Sequence, residues 1–177
     1  MAPGLGGGRM GDTGGVATEI ERKYLLAQPA DLDALRAECG DIEVSDIEQR
    51  YLDAPAGVER RVRRELSHGE ATHVLTEKRA VAGTNVERIE DERPLDAEEY
   101  QLVARDTVGA TIRKRRHRFV HDGQAFELDE FIEPIDAWLL EIELSSADQP
   151  VGLPPPLEIE REVTDDPAWR NSTIARR

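Results

Sequence analysis

Aromatic side chains are scarce: phenylalanine, tyrosine and tryptophan together make up 5% of the 177 residues. Few rings are therefore on hand to stack on a heterocycle, and Phe126, Phe131 and Trp138 read more simply as core. Cys39 is the only cysteine, which excludes an internal disulfide framework and suits a reducing, cytoplasmic setting. It falls in a helical stretch and is expected to be a packed thiol. No apolar run reaches the ~18 residues that a membrane-spanning helix needs. The glycine-rich start, MAPGLGGGRMGDTGG, has no apolar centre of the signal-peptide kind. Residues 1–15 are thus expected to form a disordered leader, and residues 16–177 a single domain. Histidine is also sparse, and His68, His73, His117 and His121 have no metal-ligand spacing.

What the chain has in quantity is charge, at 34% of residues, with a formal net charge of −14. That balance argues against nonspecific binding to nucleic acid or to an anionic membrane. A small anion stays open, because local clusters and not the total set the field of a site. Arg60, Arg61, Arg63 and Arg64 form one such cluster, and Arg113, Lys114, Arg115 and Arg116 another.

The charges alternate. ATEIERKYLL puts Glu19, Glu21 and Lys23 at every second position, and the same spacing returns in RRVRRE (Arg61, Arg63), ERIEDE (Arg88, Glu90, Glu92), IRKRRHRF (Lys114, Arg116), FELDEF (Glu127, Asp129) and LLEIEL (Glu141, Glu143). Period two means strands, expected near Val16–Leu26, Glu43–Leu52, Val58–Leu66, Ala71–Arg79, Val86–Arg93, Ala110–His121, Gln124–Ile132 and Trp138–Leu144. A further strand near Leu157–Val163 stays open. SHGE, AVAGTN and HDGQ suit tight connections, which make the joined strands antiparallel. Two helices are expected at the rim. PADLDALRAEC has Pro29 in a first-turn position with Leu32 and Leu35 on one face; LDAEEYQLVARD has Asp96 as N-cap, Glu99 completing a capping box, and Tyr100, Leu102 and Val103 for burial. The fold class is α+β, dominated by antiparallel strands.

Within the strands, Phe126, Leu128 and Glu130 fall on one face and Glu127, Asp129 and Phe131 on the other. Leu140, Ile142 and Leu144 likewise oppose Glu141 and Glu143. About eight such strands left as an open sheet would have edges to protect, whereas a closed barrel abolishes them and has room for one small ligand. A lumen lined by charge must hold opposite charges, water or an ion, since an unpaired buried charge costs several kcal/mol. Cations bind phosphate oxygens and carboxylates take hard Mg²⁺ or Mn²⁺. A ladder of cross-strand salt bridges is the alternative reading of any single pair.

Taken in order, Glu19-x-Glu21-x-Lys23, QRYL (Gln49, Tyr51, Leu52), RVR, LTEKR, RIEDE, RKRR, FELDEF, EIEL and EVTDDPAWRNSTIA resemble the CYTH superfamily, also called triphosphate tunnel metalloenzymes. The resemblance runs from about Glu19 to Ala175. It implies a closed eight-stranded antiparallel β-barrel, a triphosphate tunnel that works with Mg²⁺ or Mn²⁺. By matching motif it implies Lys23, Arg61, Arg63, Lys78, Arg88, Lys114 and Arg116 as phosphate-binding residues, and Glu19, Glu21, Asp129, Glu141 and Glu143 as metal ligands. Glu90, Glu92 and Glu127 are candidate supporting acids. Because IRKRRHRF has bases on both faces, Arg113 and Arg115 stay open as the slipped alternative to Lys114 and Arg116. The tail motif implies a segment over one tunnel mouth.

The leading expectation is metal-dependent hydrolysis of a triphosphate, inorganic tripolyphosphate first, with Lys23 holding phosphate and Glu19 or Glu21 taking a proton from water. Alternatives within the resemblance are a class IV adenylate cyclase, a thiamine triphosphatase, and a noncatalytic module that binds triphosphate without turnover. No nucleic-acid or membrane partner is expected, and a homodimer stays open.

Overall fold

The computed structural model describes residues 20–80, 88–146 and 148–177. The leader expected over 1–15 lies outside the described residues. The strands are β1 (Ile20–Leu26), β2 (Glu43–Leu52), β3 (Val58–Ser67), β4 (Glu70–Ala80), β5 (Arg88–Pro94), β6 (Thr107–His121), β7 (Gln124–Glu133), β8 (Ala137–Leu144) and β9 (Ile159–Glu162). The helices are α1 (Leu32–Cys39), α2 (Ala97–Val103) and α3 (Asn171–Ile174). Among the described residues no helix is long and apolar enough to cross a membrane.

All strand pairs are antiparallel, in the order β5-β4-β3-β2-β6-β7-β8-β1-β9. Two hairpins show why the chain reverses where it does. His68 and Gly69 have φ of 50° and 82°, and Asp122 and Gly123 have 50° and 77°. Paired positive φ angles match the twist of the flanking strands, and glycine adopts the second at no steric cost.

The expectation of a closed eight-stranded barrel is corrected. The sheet has nine strands, and among the described residues its two edges, β5 and β9, share no hydrogen-bonded ladder. The reason lies at β1: β8 takes one of its edges along Ile20–Leu25, and the short β9 occupies the other at Tyr24–Leu26. The edge that closure would need is thus partly filled by β9. The sheet still curls. Leu25 of β1 and Tyr51 of β2, four ladders apart, meet in one buried cluster, and the charge of Lys78 on β4 is felt by Glu21 on β1.

Curling gives the sheet an inner and an outer face, both of them packed. Outside, α1 seals a core that includes Tyr24, Leu35, Phe119, Phe126, Leu128, Leu140 and Ile142, while Tyr100 of α2 and Ala104 just after it pack on Leu52, Val62 and Leu95. α2 has the expected capping box between Asp96 and Glu99. Leu102, expected to be buried, is 62% exposed, because a seven-residue helix lying on a sheet has one inward stripe, taken here by Tyr100 and partly by Val103. Pro29 does not open α1. Asp31 is the N-cap, its carboxylate accepting from the backbone N–H of Asp33 and Ala34 at 3.1 and 3.0 Å, a stronger start than proline, which only supplies a fixed φ.

Inside, one end of the curl is floored. Leu25, Tyr51, Ile112, Phe131 and Leu139 from the strands pack on Val163, Ile174 and Ala175 of the C-terminal segment. That segment is fitted closely: the N–H of Ala110 donates to the Ala175 carbonyl at 2.6 Å. A Cβ on Gly109, whose φ is +78°, would stand 2.3 Å from the same oxygen.

Candidate active site

Above the floor the inner face is charged. On β1 and β8 the register sets Lys23 opposite Glu141 and Glu21 opposite Glu143. The Lys23 ammonium lies 2.8 Å from Glu141 Oε1 and 2.9 Å from Glu21 Oε1. Burial works to lower the Lys23 pKa, but the two carboxylates outweigh it and hold the ammonium charged. Glu21 moves the other way: burial, then the neighbouring Glu141 charge, raise its pKa above the ordinary carboxylate value. Glu143 shares this face and is exposed.

β6 and β7 supply the next layer. Arg116 engages Asp129 through two parallel bonds, Nε to Oδ1 and Nη2 to Oδ2, both 2.7 Å. Its Nη2 also donates to Glu141 Oε2 at 3.0 Å, and Nη1 reaches Glu127 Oε2. Lys114 donates to Asp129 and lies 5.2 Å from the centre of the Phe131 ring. Asp129 is fully buried and Arg116 nearly so, with side-chain exposures of 0% and 8%. A carboxylate so deep is tolerable only because two cations satisfy it. Burial favours its neutral form, yet Lys114 and Arg116 overcome that and hold it below the usual range.

The opposite wall, β3 to β5, is less balanced. Arg61 Nη2 stands 3.4 Å from Glu90, Lys78 Nζ 2.7 Å from the same carboxylate, and Arg63 Nη2 4.0 Å from Glu92, whose Oε1 accepts from Thr76 Oγ1 at 2.9 Å. Burial and then the Arg61 charge lower the Arg63 pKa. Arg61 Nε is buried with no acceptor among the described residues. Cations crowd together here with partners that are long or shared, so this wall attracts an anion.

The structure therefore gathers Glu21, Lys23, Arg61, Arg63, Lys78, Glu90, Glu92, Lys114, Arg116, Glu127, Asp129, Glu141 and Glu143 on one concave face. Glu19 and the Arg88 side chain lie outside the described residues. The register question at β6 has a definite outcome: Lys114 and Arg116 turn inward, while Arg113 and Arg115 are exposed on the outer face against Glu133 and Asp46. His117 stacks on Trp138 outside, with ring centres 5.8 Å apart, and His73 packs on Tyr100.

Sequence reasoning missed Arg118 and Glu65, and it named Gln49 and Tyr51 in QRYL without giving them a place in the site. Arg118 continues the inward alternation of Lys114 and Arg116, a signal present in IRKRRHRF. It donates to Glu127 at 2.9 Å, Glu65 at 2.6 Å and Ser45 at 3.1 Å. Gln49 Nε2 donates to the Tyr51 hydroxyl at 2.8 Å in the buried part of the lumen. Two neutral residues carry no charge pattern that could reveal this contact. Beside Tyr51 and Lys78 a cavity of about 410 Å³ opens at the floored end, between the β2–β3 turn, Gly109 and the tail residues Ser172 and Arg176.

A divalent cation is a matter of donor chemistry here. Among the described residues no three His, Cys, Asp or Glu side chains converge as a metal cage. Mg²⁺ does not require one, since it keeps waters and is held by one or two carboxylates together with substrate phosphates. Glu21, Glu141 and Glu143, hard oxygen donors on adjoining strands, fit that mode.

No family model matches the chain. It is 30% identical over 161 residues to the inorganic triphosphatase of Nitrosomonas europaea, spanning 89% of this chain and 97% of that protein. Among solved structures, the crystal structure of the inorganic triphosphatase NE1496 superposes with a TM-score of 0.59 at 29% identity, covering 92% of this chain and 97% of that one. The PH1819 protein from Pyrococcus horikoshii OT3 shares the fold at 21% identity, with a TM-score of 0.56 over 73% of this chain and 80% of that one.

Proposed function

Because the chain belongs to the CYTH superfamily, the triphosphate tunnel metalloenzymes, we propose that its curled sheet is the active site of a triphosphatase that splits inorganic tripolyphosphate into pyrophosphate and phosphate. The observation that carries this is the cationic wall. Arg61 and Arg63 stand side by side, and among the described residues one has a buried Nε with no acceptor and the other a single ion-pair contact, at 4.0 Å. Phosphate oxygens supply the acceptors that these donors lack, and guanidinium forks suit them geometrically.

The chain's own residues divide the work. Arg61, Arg63 and Lys78 hold the phosphates on one wall, Lys23, Lys114 and Arg116 on the other, so charge that develops on the phosphoryl oxygens meets fixed cations. Glu21, on the inner face beside Lys23, takes the proton from the attacking water. The water oxygen bonds to the terminal phosphorus, the bridging P–O bond breaks, and pyrophosphate leaves with the bond's electron pair. Mg²⁺ or Mn²⁺, held by Glu21, Glu141 and Glu143 together with the substrate, supplies charge neutralisation and a more acidic water when bound.

The choice of an inorganic substrate over a nucleotide or thiamine ester is favoured by where the rings are. Phe126 lies in the outer core, Trp138 stacks on His117 outside, and Phe131 is sealed in the floor. Tyr51, bonded to Gln49, is the ring nearest the cavity. The test is phosphate release from tripolyphosphate, ATP and thiamine triphosphate, each with Mg²⁺, Mn²⁺ or EDTA, with products resolved. Metal-dependent release from tripolyphosphate in preference to the esters is the expected result. Lys23→Ala should raise KM and lower kcat, and a variant with wild-type turnover would refute that assignment. Binding of tripolyphosphate without any turnover would make the protein a carrier or sensor.

A further inference from the structure

Arg116 must present donors to a phosphate while three carboxylates hold it, and the three are not equivalent. Asp129 is fully buried and pinned by Lys114 as well; Glu141, with 9% of its side chain exposed, is pinned by Lys23 as well. Glu127 differs. Its side chain is 33% exposed, it meets Arg116 only at Nη1, and its other oxygen already belongs to Arg118 Nε at 2.9 Å. Arg118 in turn is anchored on the far side, its Nη1 donating to Glu65 Oε1 at 2.6 Å and Ser45 Oγ at 3.1 Å. The line β3–β2–β6–β7 is thus crossed by one guanidinium that grips Glu127 from the side away from Arg116.

Glu127 is therefore the exchangeable partner of Arg116, and its release leaves no orphaned charge because Arg118 keeps it. We infer that Arg118 is a positioning residue: by retaining Glu127 it frees the Nη1 corner of Arg116 for a phosphate oxygen. This rests on the triphosphate reading above. Without Arg118, Glu127 falls wholly to Arg116 and competes with the substrate for the same N–H groups, while Glu65 loses its cation.

The role is separated from direct phosphate contact and from mere support of the fold by a double-mutant cycle. Tripolyphosphate is titrated calorimetrically in EDTA into wild type, Arg118→Gln, Glu127→Gln and the double variant. Arg118→Gln should weaken binding about tenfold, the size of one charge-assisted hydrogen bond. In the Glu127→Gln background the same change should have a clearly smaller effect, the part left by the lost charge beside Glu65. In turnover assays Arg118→Gln should raise KM by the same factor and leave kcat within about twofold. Equal weakening in both backgrounds, or weakening in neither, overturns the inference. If Arg118→Gln does not fold, Arg118→Lys takes its place, keeping the charge but losing the fork that joins Glu127 to Glu65. A wild type that neither binds tripolyphosphate nor releases phosphate from it with Mg²⁺ or Mn²⁺ refutes the functional reading itself, whereas wild-type binding without dependence on the background refutes only the role of Arg118.

Discussion

β6 has two rows of cations on a single strand, and they live in different media. Arg113 and Arg115 point outward, paired with Glu133 at 2.7 Å and Asp46 at 2.9 Å, with about half of each arginine side chain in water. Lys114 and Arg116 point inward at 2% and 8% side-chain exposure and share Asp129 between them. Contact distances barely differ between the faces. What differs is that an outer ion can fall back on water, while an inner ion depends on its neighbours for solvation, so each inner partner is held by more than one other. Ion-pair distance is thus a poor guide to consequence, and burial with sharing a better one.

That contrast is most severely tested by Asp129→Asn. Leaving Lys114 and Arg116 buried against a neutral amide should cost ~3–5 kcal/mol in urea unfolding, with loss of triphosphate turnover. A cost as small as that of an outer pair would show that water reaches the inner layer after all. Next comes Arg63→Ala, which should weaken tripolyphosphate binding on the order of 10- to 100-fold in calorimetry, the equivalent of one or two charged hydrogen bonds, with little change in melting temperature.

A smaller effect is expected from acid. Burial pushes the Glu65 pKa up, but bonds from Arg118 and Ser45 win and hold it below the ordinary value. A lowered folded pKa means stability that is fully present above the unfolded value of about 4.3 and lost as pH falls through the folded one. Melting temperature followed from about pH 6 down to about pH 2 should therefore decline less steeply in Glu65→Gln than in wild type. Smallest of all, Arg115→Ala on the outer face should shift stability by no more than ~1 kcal/mol and leave KM unchanged.

Much of this architecture can be read from residue order. Alternation placed Phe126, Leu128 and Glu130 on one face of β7 and Glu127, Asp129 and Phe131 on the other, which is how the strand lies. A period of two survives folding because a one-residue slip would move every side chain to the wrong face. What could not be read is whatever depends on partners distant in sequence. Alternation does not say whether a curled sheet closes, and the four residues of β9 were enough to take part of the edge of β1. Nor does it rank the charges: Arg115 and Arg116 are the same residue type side by side, and only the three-dimensional neighbourhood makes one a solvated surface ion and the other the hub of the inner layer. Gln49 and Tyr51 stand in a recognisable motif but have no role legible from the charges, because neutral polar residues on an inner face leave no mark in a charge pattern.

The position of β1 in the sheet also governs the order of events when the chain folds. β2 to β7 are completed mostly by near neighbours, but Ile20 pairs with Leu144 and Tyr24 with Glu162. This strand must therefore wait for β8 and β9, and closing so long a loop is expected to put a slow, late step into assembly. Until then β1 has two open edges. Its Glu21 and Lys23 are the kind of charges that discourage a waiting strand from pairing with another molecule, so residues that serve the site in the finished protein also guard it during synthesis.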